Sequence, residues 1–459
     1  VEFVEKNILV IGLGRSGKAA SLKLKALGAT VLASDTSEKD EIKQVAAELE
    51  KSGITVRLGK QEESLLDEIN LIVVSPGVPS RVPVLEAARR RGIPIWSEIE
   101  LAYRLTGKPI VAITGTNGKT TTTTLTGKVF EAAGKKPAVA GNIGVPLVTA
   151  VDDADVETLV VEVSSFQLDT IVDFRPKVSV LLNITEDHLD WHPDFEDYVR
   201  AKNRLFANQT DDDVAILNMD DEVVRSLAPH IKAKVVGTSK KQELHPGVFI
   251  RNGRVIADIG GEVDICGVDE VKIRGDHNLD NIMAVAGISL VFGIEPTVIK
   301  EVVAGFTGLS HRTEFIASVD GVEYYNDSKA TNVDATVKAL TAFNKPIVLL
   351  VGGRNKGNSF TALAQYIDIN RQVRAVVGFG EAGHEILRAL PVGTLQEYAG
   401  TVDDAVVRAA RLAQPGDIVL FSPACASFDA FNGYAQRGEA FRQAVLALGE
   451  KHGESKTKK

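Results

Sequence analysis

Short apolar runs that stop at glycine alternate along this chain with longer stretches whose apolar residues recur at helical spacing. That alternation predicts parallel sheets with helices on their faces. The first run covers residues 7–11 and enters GLGRSG, and a helix over 18–27 follows until Gly28 stops it. Further strands are expected at 30–33, with Asp35 just past its end, at 69–74 entering SPGVPS, and at 93–96 after Gly92. The cycle restarts at Lys108. A strand over 110–113 leads through GTNGKT into a helix lined by Leu125, Val129, Phe130 and Ala133 and closed by Gly134. Strands at 159–163 and 178–182 each deliver a polar cluster at their C-terminal ends, the edge where open parallel sheets bind ligands. From 235 to 274 the segments turn short and Gly-broken, which predicts a small antiparallel insertion, and GDHNLDN then opens another amphipathic helix. A third cycle starts near Leu309, with a hairpin of 315–319 and 322–325 about Asp320-Gly321 and strands at 347–351, 374–377 and 418–421.

The expected fold class is α/β in three domains. They are a Rossmann-like domain over 1–97, a central P-loop ATPase-like, mostly parallel sheet over 98–308, and a C-terminal Rossmann-like α/β domain over 309–459. The polar tail KHGESKTKK is expected to fray. With 459 residues, 44% hydrophobic and 25% charged, the composition is that of an ordinary globular chain. A formal charge of −9 argues against a nucleic-acid polymer as partner, because backbone binding needs a basic footprint. The apolar runs fall far short of the ~18 residues that span a bilayer, so no membrane insertion is expected. The opening VEFVEKNILVIGLG reads as a first strand and not a signal peptide. Only Cys266 and Cys425 are present, which excludes a disulfide framework and predicts a cytoplasmic protein.

Two glycine-rich loops carry the candidate chemistry. GLGRSG places Gly12, Gly14 and Gly17 after a strand, with Asp35 about 20 residues on, the pattern of a dinucleotide-type turn. Taken alone it leaves open a nucleotide or diphosphate ligand, a nicotinamide cofactor, or glycines that serve only the turn. GTNGKTT is more specific, although Ile113 and Thr114 depart from the full GxxxxGK[ST] form. The N–H groups of Gly115 to Thr121, with Asn117 and Gly118 at the loop's centre, would cradle a triphosphate. Lys119 would reach its β/γ-phosphates, and Thr120 would offer a hydroxyl to Mg²⁺. ATP binding is the expectation.

What the ATP serves is read from the polar clusters downstream. Glu162 ends a strand in VEVSSFQ, where a carboxylate suits magnesium; Asp187 and His188 follow the next strand in NITEDHLD. A surface turn is the plain alternative for His188, and His192 reads as a surface histidine. Lys202, in YVRAKNRLF, would be misplaced as a free cation near magnesium, and its charge argues for solvent exposure. Lys329 lies beside Asp327 in YYNDSKATN, with Asn332 placed to cap the next helix, while Lys356 follows a strand in GGRNKG. His311 and Arg312 form a positive arm at the third domain's entrance. An ATP site, a separate diphosphate-like site and a third domain with basic loops suit a ligase better than a simple NTPase. Such an enzyme makes an acyl phosphate that an amine then attacks through a tetrahedral intermediate.

The motifs GTNGKTT, GNIG, VEVSSFQL, NITEDHLD, AKNRLF, GDHNLDN, HRTE, NDSKATN and SPACASFD, in this order, closely resemble the ATP-dependent Mur ligases of peptidoglycan synthesis, and in particular the branch that adds D-glutamate to UDP-N-acetylmuramoyl-L-alanine. The resemblance implies that the first domain holds the UDP part of the donor. Gly14, Arg15 and Ser16 would lie by the diphosphate, Asp35 and Thr36 near the uracil, and Ser75, Pro76 and Gly77 near the nucleotide end. It assigns Lys119 to the triphosphate, Thr120 and Glu162 to magnesium, His188 to a second magnesium, and Asn142 and Gln167 to the muramoyl side. Lys202 would be carbamylated, which reverses its charge and answers the mismatch above. Asn278 and Asn281 would approach the adenine, with Arg312 and Asp327 near phosphate and ribose. Thr331, Lys356 and Ser427 would meet the D-glutamate carboxylates, with Lys329 at the reacting carboxylate. The family often has Phe where Tyr434 stands and Leu where Phe428 stands; the first change adds a hydroxyl, and the second puts a bulkier side chain beside Ser427. Cys425 reads as a packed thiol, and a monomer is expected. A sister Mur ligase with another acceptor is the nearest alternative. A dehydrogenase or a noncatalytic UDP-sugar binding protein would leave the ATP loop unused.

Overall fold

In Asn7–Ile11 four consecutive residues are buried, as in a strand covered on both faces. It takes the centre of a five-stranded sheet ordered Thr55–Leu58, Thr30–Asp35, Asn7–Ile11, Leu71–Val74, Ile95–Ser97, parallel throughout. The chain winds outward on one side of Asn7–Ile11 and then on the other, so a crevice opens past the C-terminal ends of Asn7–Ile11 and Leu71–Val74. The computed structural model describes residues 3–188, 191–273 and 275–451. The tail and the Leu189-Asp190 part of NITEDHLD lie outside them. The chain divides into two units. The first comprises Val1–Ile184, Glu196–Val268 and Asp280–Val303, and the second Thr185–Phe195, Asp269–Leu279 and Ala304–Lys459.

Two elements of the first sheet had no counterpart in the pattern. Thr55–Leu58 is a half-exposed edge strand, too polar to stand out, and the helix Asp40–Lys51 that precedes it buries only Ala46 and Leu49 fully. The helix after GLG begins at Arg15, with Gly14 extended before it; its Arg-Ser-Gly start is a weak helix signal.

The first unit also holds a nine-stranded sheet. Ile110–Thr114, wholly buried, lies between Thr158–Glu162 and Val178–Leu181, both parallel to it. Pro137–Gly141 completes one side, while Val214–Asn218, Lys234–Ser239 and Gly247–Arg251 continue the other in parallel. Among the described strands only Arg254–Asp258 is reversed, pairing antiparallel with Gly247–Arg251 on one side and Glu262–Gly267 on the other. The Gly-broken stretch is thus the mixed edge of the central sheet, continuous with it. Behind it Phe130, on Lys119–Ala132, meets Phe292 edge to face at 5.0 Å.

The second unit is built on a six-stranded sheet ordered Glu314–Val319, Val322–Asn326, Ile418–Ala424, Ile347–Gly352, Val373–Phe379, Gln396–Ala399. The first pair is the expected hairpin, and every other pairing is parallel. Asp320 and Gly321 both hold positive φ, as a two-residue hairpin turn of matching twist requires. Ile347, Leu349 and Val351 enter the core on one face, and Val348 and Leu350 the core on the other, which is why this strand reads as an unbroken apolar run. Among the described residues, no helix is long and apolar enough to cross a membrane.

Candidate active site

The crevice of the first sheet is a cavity of about 430 Å³. Gly14, Arg15, Ser16, Asp35, Thr36, Ser75, Pro76, Gly77, Asn142 and Gln167 all line it, and so does Gln61, which the motifs did not single out. Gly17 packs so tightly that a Cβ there would overlap the Gly12 carbonyl oxygen, whereas a Cβ at Gly14 would meet nothing within 4 Å. One glycine therefore serves helix packing, and the other leaves room. Asp35 is held by main-chain donors: Leu13 N–H at 2.7 Å and Ser37 N–H at 2.8 Å. Ser75 donates to Gly12 O at 2.8 Å and closes the turn. Arg15 reaches across to donate to Gly144 O, and the GNIG loop thereby joins the wall. Gln167 contributes its carboxamide to a capping box with Ser164 at the start of Ser165–Leu168.

GTNGKT forms the turn between Ile110–Thr114 and Lys119–Ala132. Gly118, at φ +89°, provides the left-handed step that aims this helix N-terminus at the sheet edge. Asn183 braces the loop: its Oδ1 accepts from Asn117 N–H at 2.8 Å, and its Nδ2 donates to Asn117 O at 3.1 Å. Lys119 folds back to donate to Gly115 O and Thr116 O, both at 2.8 Å. Thr120 is half-buried and Thr121 buried on the helix's first turn. Asn281 stands against the loop, its Oδ1 accepting from Thr122 Oγ1 at 3.2 Å; Asn278 is buried at the start of the same helix, His277–Val291.

Glu162 ends Thr158–Glu162, directly beside the strand that feeds this loop, and is 1% exposed. Its Oε1 accepts from Asn142 Nδ2 at 2.6 Å, while its Oε2 is buried with no hydrogen-bond partner. A buried carboxylate oxygen left over beside a phosphate loop, with the Thr120 hydroxyl on that loop, is the hard donor set that suits Mg²⁺. Lys202, expected in solvent, is 1% exposed. The correction has a physical cause. Its Nζ donates to Gly115 O at 2.9 Å and lies 4.6 Å from the Tyr198 ring centroid, so the loop's carbonyl and a ring face replace water.

In the second unit Asp187, His188 and Lys356 form one cluster. Asp187 accepts from Lys356 Nζ at 3.2 Å and from Asn332 Nδ2 at 2.8 Å, and His188 Nε2 stands 3.6 Å from its Oδ2. Burial pushes the Asp187 carboxyl up, but Lys356, His188 and Asn332 together hold it down at about 2. Asn332 also caps Val333–Thr341 as expected. His192 is buried, not on the surface, and its N–H donates to His188 O at 2.9 Å. Asp327 accepts from Thr313 N–H at 3.0 Å and Ser422 Oγ at 2.8 Å; burial raises it to about 6 against these bonds and the pull of Arg312. Lys329 Nζ lies 3.9 Å over the Tyr434 ring, so the hydroxyl-bearing ring at this position is a cation platform. Thr331 is half-buried, Ser427 buried and Phe428 exposed. The Cys425 thiol is packed, and burial pushes it up to about 12.

Three family models match successive stretches: a MurD-like Mur ligase N-terminal domain over residues 6–97, a Mur ligase middle domain over 113–289, and a Mur ligase glutamate ligase domain over 311–425. A UDP-N-acetylmuramoylalanine–D-glutamate ligase of Geotalea uraniireducens is 45% identical over 449 residues, 98% of this chain and 99% of that one. One of Pelotomaculum thermopropionicum is 44% identical over 451 residues, 97% and 99% of the two chains. The chain belongs to the Mur ligase family. Two solved structures share its fold. A pseudomurein peptide ligase type C of Methanothermus fervidus has a TM-score of 0.60 at 19% identity, covering 97% of this chain and 100% of that one. A UDP-N-acetylmuramate-alanine ligase of Thermotoga maritima has 0.58 at 20%, covering 96% and 99%. Mur ligases are ATP-dependent and work with Mg²⁺, which agrees with the phosphate loop and the unsatisfied Glu162 oxygen of this Mur ligase.

Three features of this Mur ligase were not legible as site features. Gln61 reaches the cleft from a loop without a motif and donates to Ser34 Oγ at 3.2 Å. The Asp187–Lys356 pair joins residues 169 positions apart. Arg437, an unremarked helix residue in sequence, is fully buried.

Proposed function

We propose that this chain joins D-glutamate to UDP-N-acetylmuramoyl-L-alanine, converting ATP to ADP and phosphate, in peptidoglycan precursor synthesis. The observation that carries this reading is the end-to-end identity of 41–46% to proteins named as ligases of that reaction. The cavity supports it by offering a glycine-lined helix N-terminus to a diphosphate, and Asp35 with Thr36 to the base. Residues 1–97, 98–308 and 309–459 would then be the donor, ATP and acceptor domains.

In the first step the donor's carboxylate oxygen attacks the γ-phosphorus and ADP leaves, giving an acyl phosphate. The deprotonated amine of D-glutamate then attacks the acyl carbon, and the tetrahedral intermediate expels phosphate to leave the amide. Lys119, on the loop's helix start, stabilises charge on the phosphoryl group, with Arg312 as a second cation for the phosphates. Gly115, Asn117, Gly118 and Thr121 shape the phosphate cradle, Asn278 and Asn281 face the adenine, and Asp327 the ribose. Asn142 and Gln167 meet the muramoyl portion. Lys329, steadied on the Tyr434 ring, serves the reacting carboxylate, and Lys356, Thr331 and Ser427 hold the acceptor's carboxylates. Thr120 and Glu162 would hold Mg²⁺, and His188 keeps the metal role that the resemblance gives it. Bound there, the metal neutralises triphosphate charge.

Carbamylation of Lys202 belongs to this reading. The carbamate keeps one N–H on Nζ, which can go on donating to Gly115 O, while the new carboxylate turns a buried cation into a metal-orienting anion. A cytoplasmic location, supported by two buried free cysteines, is part of the same proposal, and so is a monomer.

The test is ADP and phosphate release with Mg·ATP and UDP-N-acetylmuramoyl-L-alanine across a panel of D- and L-amino acids, with product mass determined. Turnover and a one-residue mass gain with D-glutamate alone are expected. Turnover only with another amino acid would move the chain to a sister specificity.

A further inference from the structure

Three neighbouring parallel strands of the second unit, Val322–Asn326, Ile418–Ala424 and Ile347–Gly352, end at one sheet edge. Their following loops carry Thr331, Ser427 and Lys356, the three groups assigned above to the acceptor, and Lys329, assigned to the reacting carboxylate that the acceptor's amine meets. One side chain lies behind all three loops. Arg437, on Tyr434–Lys451, is 0% exposed. Its Nε donates to Ser328 Oγ at 3.1 Å and its Nη2 to Ser328 O at 2.8 Å. Its Nη1 donates to Cys425 O at 2.9 Å, Ala426 O at 3.1 Å and Gly352 O at 3.4 Å.

Each acceptor belongs to a residue at or just before a predicted ligand group: Ser328 precedes Lys329, Ala426 precedes Ser427, and Gly352 opens the GGRNK turn that ends in Lys356. Gly353 makes the room, since a Cβ there would stand 2.8 Å from Arg437 Nη1 and overlap Ala426 O. No carboxylate forms an ion pair with Arg437 among the described residues; Asp429 and Asp327 act on it only from a distance. Burying a guanidinium without a counter-charge is unfavourable, and a well-packed apolar residue would serve a plain core better. What the planar five-donor fork supplies instead is a fixed geometry among carbonyls of three separate loops.

We propose that Arg437 is a positioning residue for the acceptor amino acid: it sets the mutual spacing of the loops that carry Lys329, Ser427 and Lys356, a role that rests on the reading of those loops as the D-glutamate site. Losing the fork lets the loops drift, which weakens acceptor binding; Asp327, next to Ser328, keeps its own bonds from Thr313 and Ser422, so the nucleotide site changes far less.

The experiment is steady-state kinetics of the full chain and of Arg437→Met and Arg437→Lys, varying D-glutamate, ATP and UDP-N-acetylmuramoyl-L-alanine in turn, with thermal melts to confirm folding. Arg437→Met is expected to raise the D-glutamate KM by about tenfold or more, as loss of hydrogen bonds from a charged donor does. The other two KM values should stay within about threefold, and Arg437→Lys should fall between, because it keeps the charge and loses the fork. If Arg437→Met does not fold, Ser328→Ala decides: it deletes the Nε partner, together with that hydroxyl's own bond to Tyr434 O, and should raise the same KM selectively, to a smaller extent. Equal rises in all three KM values, or an unchanged D-glutamate KM in the folded variant, would overturn the positioning role. Wild-type enzyme inactive with D-glutamate would instead overturn the acceptor reading beneath it.

Discussion

Lys356 and Asp187 meet at 3.2 Å, Nζ to Oδ1, and the carboxylate that receives the lysine is itself fixed by Asn332 at 2.8 Å. The lysine assigned to the acceptor is therefore held from behind by a buried anion. Such a pair costs little to maintain, because the Asn332 amide and the His188 main-chain N–H donate to the same carboxylate. It also fixes where the lysine's remaining two N–H donors can point.

Replacement of Lys356 tests that arrangement. Lys356→Ala is expected to raise the D-glutamate KM by about a hundredfold, as loss of a buried charge-assisted bond does, with the ATP KM changed far less. Equal changes in both would argue against an acceptor anchor. Asp187→Asn, which leaves the lysine in place but unheld, should give a smaller effect of the same selectivity.

How far the chain announced all this depends on which residues could speak locally. Parallel strands buried on both faces are continuous apolar runs, so Ile110–Thr114, Ile347–Gly352 and Ile418–Ala424 stood out, and the glycine turns after the first two marked the ligand edge. Thr55–Leu58 did not, because an edge strand with alternate exposed positions resembles a loop. Both phosphate-type loops were readable because backbone approach demands glycine at fixed spacing. Lys202 misled and Arg437 passed unremarked for one shared reason. A cation's default is water, and what overrides it here is a set of carbonyls contributed by residues 87 and up to 109 positions away.

The two glycines of the first turn separate folding from binding. At Gly17 a side chain would overlap the Gly12 carbonyl oxygen, whereas at Gly14 it would enter empty space in the cleft. Gly17→Val should therefore yield little folded protein. Gly14→Val should fold with a melting temperature near wild type, yet raise the KM for the UDP-linked donor by about tenfold or more, since the added methyls fill space needed by the pyrophosphate. Normal donor kinetics in Gly14→Val would remove the diphosphate from this end of the cavity.

Lys202 offers a chemical test. If it is carbamylated in the working enzyme, Lys202→Ala should lose activity by on the order of a hundredfold, as with other groups that orient a metal or its ligands. A small carboxylate such as acetate, entering the vacated space beside Gly115 O, should restore part of it. Native mass spectrometry at neutral pH under bicarbonate should show one added carbon dioxide in wild type and none in Lys202→Ala. A variant that keeps full turnover without acetate would leave the lysine as a structural clamp on the loop.

Glu98 carries the pH prediction. It follows Ser97, the last residue of the first sheet, and its Oε1 accepts from Val148 N–H at 2.6 Å while Oε2 has no hydrogen-bond partner. Burial raises its carboxyl to about 7, only partly offset by the Val148 and Leu147 N–H groups. Because the folded chain keeps this proton longer than the unfolded one, unfolding releases a proton between about pH 4.5 and 7. Stability from this group is accordingly full below that window and declines as pH rises through it, by on the order of 3 kcal/mol. Glu98→Gln retains the acceptor for Val148 and cannot titrate. Its melting temperature relative to wild type should climb from pH 5 to pH 7 and level off above. A difference that stays constant across that range would show that Glu98 ionises freely in the folded protein, and that water reaches the carboxylate behind the Val148 turn.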